Sequence, residues 1–197
     1  MADFKKVEQN LKERGYAVTV CETGAEAAAY LNSAIDGTSV AFGGSRTLDQ
    51  LGLYDSLKTH NQVIWHWKDG LGVLPEAMQT EVYVSSVNAM AETGEAVNID
   101  GNGNRVAGTL FGHKKLYLVV GVNKLAPTLE DAIWRARNVA GPIRAQQQGR
   151  KTPCAVKADR CYDCKSPARI CGGMVVLMGP MMSMETEVIL VKEELGC

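Results

Sequence analysis

Four of the chain's six cysteines fall in one short run, Cys154-AVKADR-Cys161-YD-Cys164-KSPARI-Cys171. A Cys-x-x-Cys pair with one further cysteine on either side is a complete four-thiolate set. It suits tetrahedral zinc or an iron–sulfur cluster, because the central pair grips one centre while the flanking turns bring in the outer thiolates. Two other readings compete: paired disulfides and free structural thiols. Disulfides need an oxidising compartment, whereas the amino-terminal MADFKKVEQNLKERG is polar and lacks an apolar signal core, which predicts a cytoplasmic protein. Cys21 ends an apolar run and reads as a buried core thiol. Cys197 reads as part of a mobile tail without a role.

Three polar loops also carry groups that could bind or react. Gly43-Gly44-Ser45-Arg46-Thr47 follows the apolar SVAF and precedes the helical LDQLGLYDSLK. Two glycines allow a tight turn with exposed N–H groups, Ser45 or Thr47 can cap the helix, and Arg46 adds charge, so the loop could cradle an anion. An ordinary glycine-rich turn explains it equally well, since it is neither a P-loop nor a dinucleotide fingerprint. The polar stretch from Ser85 to Arg105 holds Glu92, a candidate base or nucleophile, with Asn88 and Asn104 placed to orient a carbonyl or hydroxyl. A solvated hairpin turn is the alternative there. Gly121-Val122-Asn123-Lys124 follows KLYLVV, where Lys124 could meet a carboxylate or phosphate or simply be a surface charge.

These loops have to be positioned by the elements between them. Apolar spacing predicts helices over 4–14, 24–32, 47–60, 75–79, 105–111 and 128–139. It predicts strands over 16–20, 39–42, 63–67, 81–85 and 115–120, with two more over 174–178 and 188–191. Alternation of this kind predicts an α/β domain with a mainly parallel sheet, whose ligands gather at the carboxyl ends of the strands. At 197 residues the simplest organisation is one domain, 1–197, with 150–173 as a cysteine-rich metal-binding segment. Acidic and basic residues nearly cancel, to a formal net charge of -1, which disfavours nucleic acid as a partner. No apolar run approaches a spanning helix, so membrane insertion is not expected. Of the histidines, His60 reads as a helix-end surface residue, His66 as a strand residue and His113, beside Lys114 and Lys115, as a surface group. Met181, Met182 and Met184 fall in a connecting loop and read as solvent-facing.

The segments GGSRTLDQLGL, SSVNAMAETGEAVNIDGNGNRVAGTLFG and VVGVNKL, followed by AIWRAR and the cysteine run ending ARIC, closely resemble the lactate-utilisation (LUD) domain family. The resemblance implies the NagB, ribose-5-phosphate isomerase and coenzyme A transferase-like fold, a parallel sheet with helices on both faces. It also implies a setting in lactate or related organic-acid use, alongside partner proteins that carry iron–sulfur clusters. In coenzyme A transferases of that fold, a segment similar to Ala91-Glu92-Thr93-Gly94-Glu95-Ala96-Val97 carries an acidic residue before a glycine, which makes Glu92 the candidate for isomerase or transferase chemistry. His113 stands where the family pattern suggests proline. On this reading a small anionic metabolite binds at Gly43, Gly44, Ser45, Arg46, Thr47, Asn88, Asn104, Arg105, Asn123 and Lys124, and Cys154, Cys161, Cys164 and Cys171 hold a [4Fe–4S] cluster. Zinc is the alternative for the cysteines, since their spacing does not match the common ferredoxin run. A non-catalytic, ligand-binding or regulatory protein with structural zinc is the alternative function.

Overall fold

The computed structural model describes residues 3–197. Helix α1 (Phe4–Glu13) starts at Asp3, whose side chain accepts from the N–H groups of Lys5 and Lys6, and buries Val7 and Leu11. Strand β1 (Ala17–Cys21) and helix α2 (Gly24–Ala34), capped by Thr23, lead to β2 (Ser39–Phe42). The helix expected over 47–60 is two pieces, α3 (Arg46–Gln50) and α4 (Leu53–Leu57). Gly52 separates them with φ +62, a left-handed conformation that costs glycine little. Strand β3 (Gln62–Ile64) ends early. The chain then turns into the short helices α5 (His66–Asp69) and α6 (Leu74–Ala77), so His66 opens a helix rather than sitting in a strand.

Strand β4 (Val82–Ser86) is buried throughout. The polar stretch after it is not mainly loop: β5 (Ala89–Ala91) and β6 (Ala96–Asp100) form an antiparallel pair before helix α7 (Asn104–Leu110) and strand β7 (Lys115–Gly121). After β8 (Leu125–Ala126), helix α8 (Leu129–Arg135) continues through a π-helical turn at Ala136–Ala140 into α9 (Gly141–Gln147). Pro142 lacks the N–H that would close the regular i→i−4 ladder there, which accounts for the widened turn. The cysteine stretch begins as helix α10 (Pro153–Lys157) and continues irregularly to β9 (Gly173–Leu177), with β10 (Glu185–Val191) last.

The main sheet has strand order β1-β10-β7-β4-β2-β3, and every neighbouring pair is parallel. Such a sheet is buried on both faces, and the period-2 alternation of β10 shows it: Ile189 and Val191 pack toward α2, α3 and α4, Val188 and Leu190 toward α1, α6 and α7. A second sheet, β8-β5-β6-β9, packs Ala89, Ala91 and Val97 on Ala132 and Ala136 of the long helix. The expected α/β class with helices on both faces of a parallel sheet is the one observed. Among the described residues, no helix is long and apolar enough to cross a membrane.

Candidate functional site

The carboxyl ends of β2, β4 and β7 converge. After β2, the backbone at Gly43 runs so close to its neighbours that a Cβ would stand 2.6 Å from Ser85 Oγ and 2.9 Å from Arg105 Cγ. At Gly44 a Cβ would meet Trp67 Nε1 at 2.9 Å. Glycine is therefore required here by close approach, independently of any anion. Ser45 caps α3 by accepting from Leu48 N–H at 3.4 Å, Thr47 is buried, and Arg46 pairs with Asp49 at 2.6 Å.

From the β7 end, Lys124 turns inward and is only 3 % exposed. Its Nζ donates to Thr47 Oγ1 at 2.7 Å and to Ser86 Oγ at 2.8 Å. Burial brings its pKa down to about 7, against the charge at Cys197 and with those of Arg135 and Arg105. Arg135 holds this loop in place, donating to the carbonyls of Asn123 at 2.9 Å and Asn88 at 2.6 Å.

Arg105, in the first turn of α7, is also buried. Its terminal nitrogens donate to Asn98 Oδ1, to Asn88 Oδ1 at 3.1 Å, to the Ile99 carbonyl at 2.6 Å and to the Ser86 carbonyl at 3.4 Å. All four acceptors are neutral. Burial lowers its pKa and the Asp100 charge acts the other way. Asp100 itself takes the N–H groups of Gly101, Arg105 and Val106. Two buried basic groups thus stand side by side with only neutral hydrogen-bond acceptors, while the charge at Cys197 acts on both.

They line a cavity of about 650 Å³. Its walls also carry Arg46, Arg137, Arg144, Arg150 and Arg169, against the carboxylates Asp100 and Asp163. One wall is the π-helical turn and α9, where the Arg144 guanidinium lies 4.4 Å from the Trp67 ring centroid. A cavity this cationic favours a small anion, a carboxylate or phosphate.

Cys154, Cys161, Cys164 and Cys171 all line the same cavity, and all are free thiols. Burial pushes the Cys171 thiol up, Arg169 opposes this, and charges at Cys161, Cys164 and Cys154 push it further. Cys161 Sγ accepts from Asp163 N–H at 3.4 Å and faces Arg137 Nη2 at 3.9 Å, while Cys154 Sγ is 3.3 Å from Thr152 Oγ1. Such donors stabilise thiolates. The donor set fits a four-thiolate centre in number and softness, and all four cysteines border one cavity. Among the described residues, however, no three potential ligands are gathered at ligating geometry.

Of the expected residues, Gly44, Ser45, Arg46, Thr47, Asn88, Asn104, Arg105, Lys124 and the four cysteines line this cavity. Gly43 stands behind Arg105. Asn123 acts indirectly: its Oδ1 accepts from Leu195 N–H at 3.0 Å and holds the Leu195–Gly196 segment over Thr47. Glu92 is elsewhere, accepting from Asp3 N–H at 2.6 Å and facing Lys6 Nζ at 3.6 Å beside α1. That position removes it from any reaction in the cavity, because its backbone N–H is tied to β8 and its carboxylate to the start of α1.

Three readings need correction. Cys197 borders the cavity instead of forming a loose tail, since Gly196 N–H donates to Gln50 Oε1 at 2.7 Å. His113 is buried, its ring stacked on Tyr83 at 4.6 Å and Nδ1 2.7 Å from the Thr80 carbonyl. In the methionine loop, Met182 is exposed but Met184 is buried. Sequence reasoning also missed Ser86, Asn98 and Arg144. Ser86 ends an apolar strand, and that position at a strand's carboxyl end was the available signal.

The LUD domain family model matches residues 4–191. Among solved structures, a DUF162 family protein from Deinococcus radiodurans is similar over 95% of this chain and 94% of its own, with a TM-score of 0.58 and 15% identity. Ribose 5-phosphate isomerase A from Neisseria gonorrhoeae aligns over 54% of each chain at 12% identity, with a TM-score of 0.37. Translation initiation factor eIF-2B from Pyrococcus horikoshii aligns over 55% of this chain and 49% of its own, at 16% identity and a TM-score of 0.35. No curated protein matches the chain.

Proposed function

Since the chain belongs to the LUD domain family, whose membership supports a role related to lactate utilisation, we propose that it binds a small anionic metabolite of organic-acid metabolism in this cavity and a metal or iron–sulfur centre at the four cysteines. The observation that carries the first half is the buried guanidinium of Arg105 on four neutral acceptors at the cavity wall, with the amine of Lys124 beside it. A carboxylate or phosphate entering the cavity adds to the counter-charge that Asp100 and Cys197 supply. Arg46 and Arg144 stand at the same cavity and can orient the ligand's second polar end.

The second half rests on the thiol set. Cys154, Cys161, Cys164 and Cys171 would hold the centre, a [4Fe–4S] cluster in the first reading and zinc in the second. A cluster there would supply one-electron transfer at the rim of the metabolite cavity, with electrons passing to iron–sulfur partner proteins. Arg137, the Asp163 N–H and Thr152 act on the sulfurs by hydrogen bonding and charge.

The test is metal and sulfide analysis of protein expressed and purified without oxygen, with visible spectra before and after dithionite. About four irons with matching sulfide and a bleachable band support the redox reading. One zinc without a chromophore replaces it with a ligand-binding protein whose cysteines staple a loop. Neither metal overturns the four-thiolate centre.

A further inference from the structure

The hydrogen bonds around Lys124 fix more than its position. Thr47 Oγ1 lies 3.3 Å from the Leu195 carbonyl and Ser86 Oγ lies 2.6 Å from the Val119 carbonyl. A carbonyl only accepts, so each hydroxyl spends its single proton there and can only accept from Nζ. The amine therefore directs two N–H groups to two hydroxyls. A neutral amine has two N–H groups and one lone pair; an ammonium has a third proton to place. The site satisfies the neutral form and leaves its lone pair unengaged by either hydroxyl. Gly196 passes over the same spot: a Cβ there would stand 3.1 Å from Nζ and 2.6 Å from Thr47 Oγ1, so glycine keeps a side chain off the amine.

We infer that Lys124 is a nucleophilic amine that forms an imine with a small carbonyl compound bearing an adjacent anionic group, a 2-oxo acid by chemical class. The inference rests on the anion-binding reading of the cavity and adds the reactive atom. The pKa of Lys124, down to about 7, supports it, because a large share of the amine is then neutral at physiological pH. Arg105 fixes a positive charge one residue away, through the Ser86 carbonyl, where the carboxylate next to the carbonyl carbon would be drawn.

The step balances with water as its only by-product. The Nζ lone pair bonds to the carbonyl carbon while the π pair moves to oxygen, and one Nζ proton passes to that oxygen. Loss of the resulting hydroxyl with the second Nζ proton, as water, leaves the C=N bond. Thr47 and Ser86 hold those two protons beforehand.

The test is reductive trapping. The protein is incubated with pyruvate or glyoxylate and sodium cyanoborohydride, then its intact mass and the modified peptide are read, and binding of each oxo acid without reductant is followed by calorimetry. The expected result is one saturable adduct per chain on Lys124, formed at least about tenfold faster than on exposed Lys151 or Lys157, whose amines lack the burial that frees the lone pair. Binding without an adduct on Lys124, or equal labelling of all lysines, overturns the imine while leaving the anion site standing. Neither heat nor adduct overturns both.

Discussion

Arg105 and Lys124 share one residue, Ser86: the guanidinium Nη1 lies 3.4 Å from its carbonyl and the amine Nζ lies 2.8 Å from its hydroxyl. Two basic groups are thus held at the end of β4 by the polar atoms of a single small side chain and its backbone. Burial lowers the pKa of both, and the Arg105 charge lowers that of Lys124 a little further.

Ser86→Ala removes the acceptor of one Lys124 N–H and the donor to the Val119 carbonyl. Leaving buried partners unsatisfied is expected to lower stability by about 1–3 kcal/mol in urea unfolding. Ser85→Ala is the control, because Ser85 Oγ only donates to the neighbouring Ser86 carbonyl at 3.2 Å, and about 1 kcal/mol or less is expected. Equal losses in the two variants would remove the special role of Ser86.

Lys124 should also write a pH dependence into stability. Its folded pKa is about 7 and the unfolded value is near 10.5, so across that window the unfolded chain binds the extra proton. Stability contributed by this site therefore rises as pH increases from about 7 toward 10.5, and the cost of burying the charge is full below 7. Lys124→Met removes the titration. The difference in unfolding free energy, wild type minus variant, should grow more favourable to wild type between pH 7 and pH 9.5, and a flat difference would contradict the buried amine.

How far the sequence led can be judged residue by residue. β2 and β7 were legible because strands buried on both faces read as continuous apolar runs. That also located the Gly44–Thr47 and Lys124 loops at strand ends. The second sheet was not legible: β5 and β6 are short, and Asn98 is buried for a reason that only the fold supplies, its bond to Arg105. Glu92 had the right residue type, but whether a carboxylate beside a turn faces a cavity or α1 depends on sheet packing that no local pattern encodes. His113 was misjudged for the same reason, since flanking lysines do not report the Tyr83 ring beneath it.

Arg105→Lys keeps the charge and loses the fork. An ammonium has three donors on a point and cannot span Asn98, Asn88, Ile99 and Ser86 together. A stability loss of about 2–4 kcal/mol is expected from the stranded acceptors. Phosphate or oxo-acid affinity should fall by roughly tenfold, as the amide groups that frame the site relax. Calorimetric titration of a folded variant with unchanged affinity would show that Arg105 acts only on the fold.

Glu92→Gln separates the cavity from the α1 face. The Lys6 side chain opposite is largely exposed, so the ion pair contributes about 1 kcal/mol or less, and the amide can still accept from Asp3 N–H. Anion affinity and lysine trapping should both match wild type. A fall of about tenfold or more in either readout would return Glu92 to the chemistry of the cavity.

The cysteine stretch gives the last test, because its residues between α10 and β9 have no regular structure and include Arg160, Lys165 and Arg169, three tryptic sites. A four-thiolate centre closes this stretch onto one ion, and binding free energy becomes local ordering free energy. Adding zinc or reconstituting a cluster in reduced protein should slow trypsin cleavage at these sites by at least about tenfold, reversed by a chelator for zinc. Cys164→Ser should abolish the protection while leaving cleavage elsewhere unchanged, since the sheets and their core are built without this stretch. Protection that survives the serine variant would mean that three thiols or other groups suffice, and no protection in wild type would end the case for a metal at these cysteines.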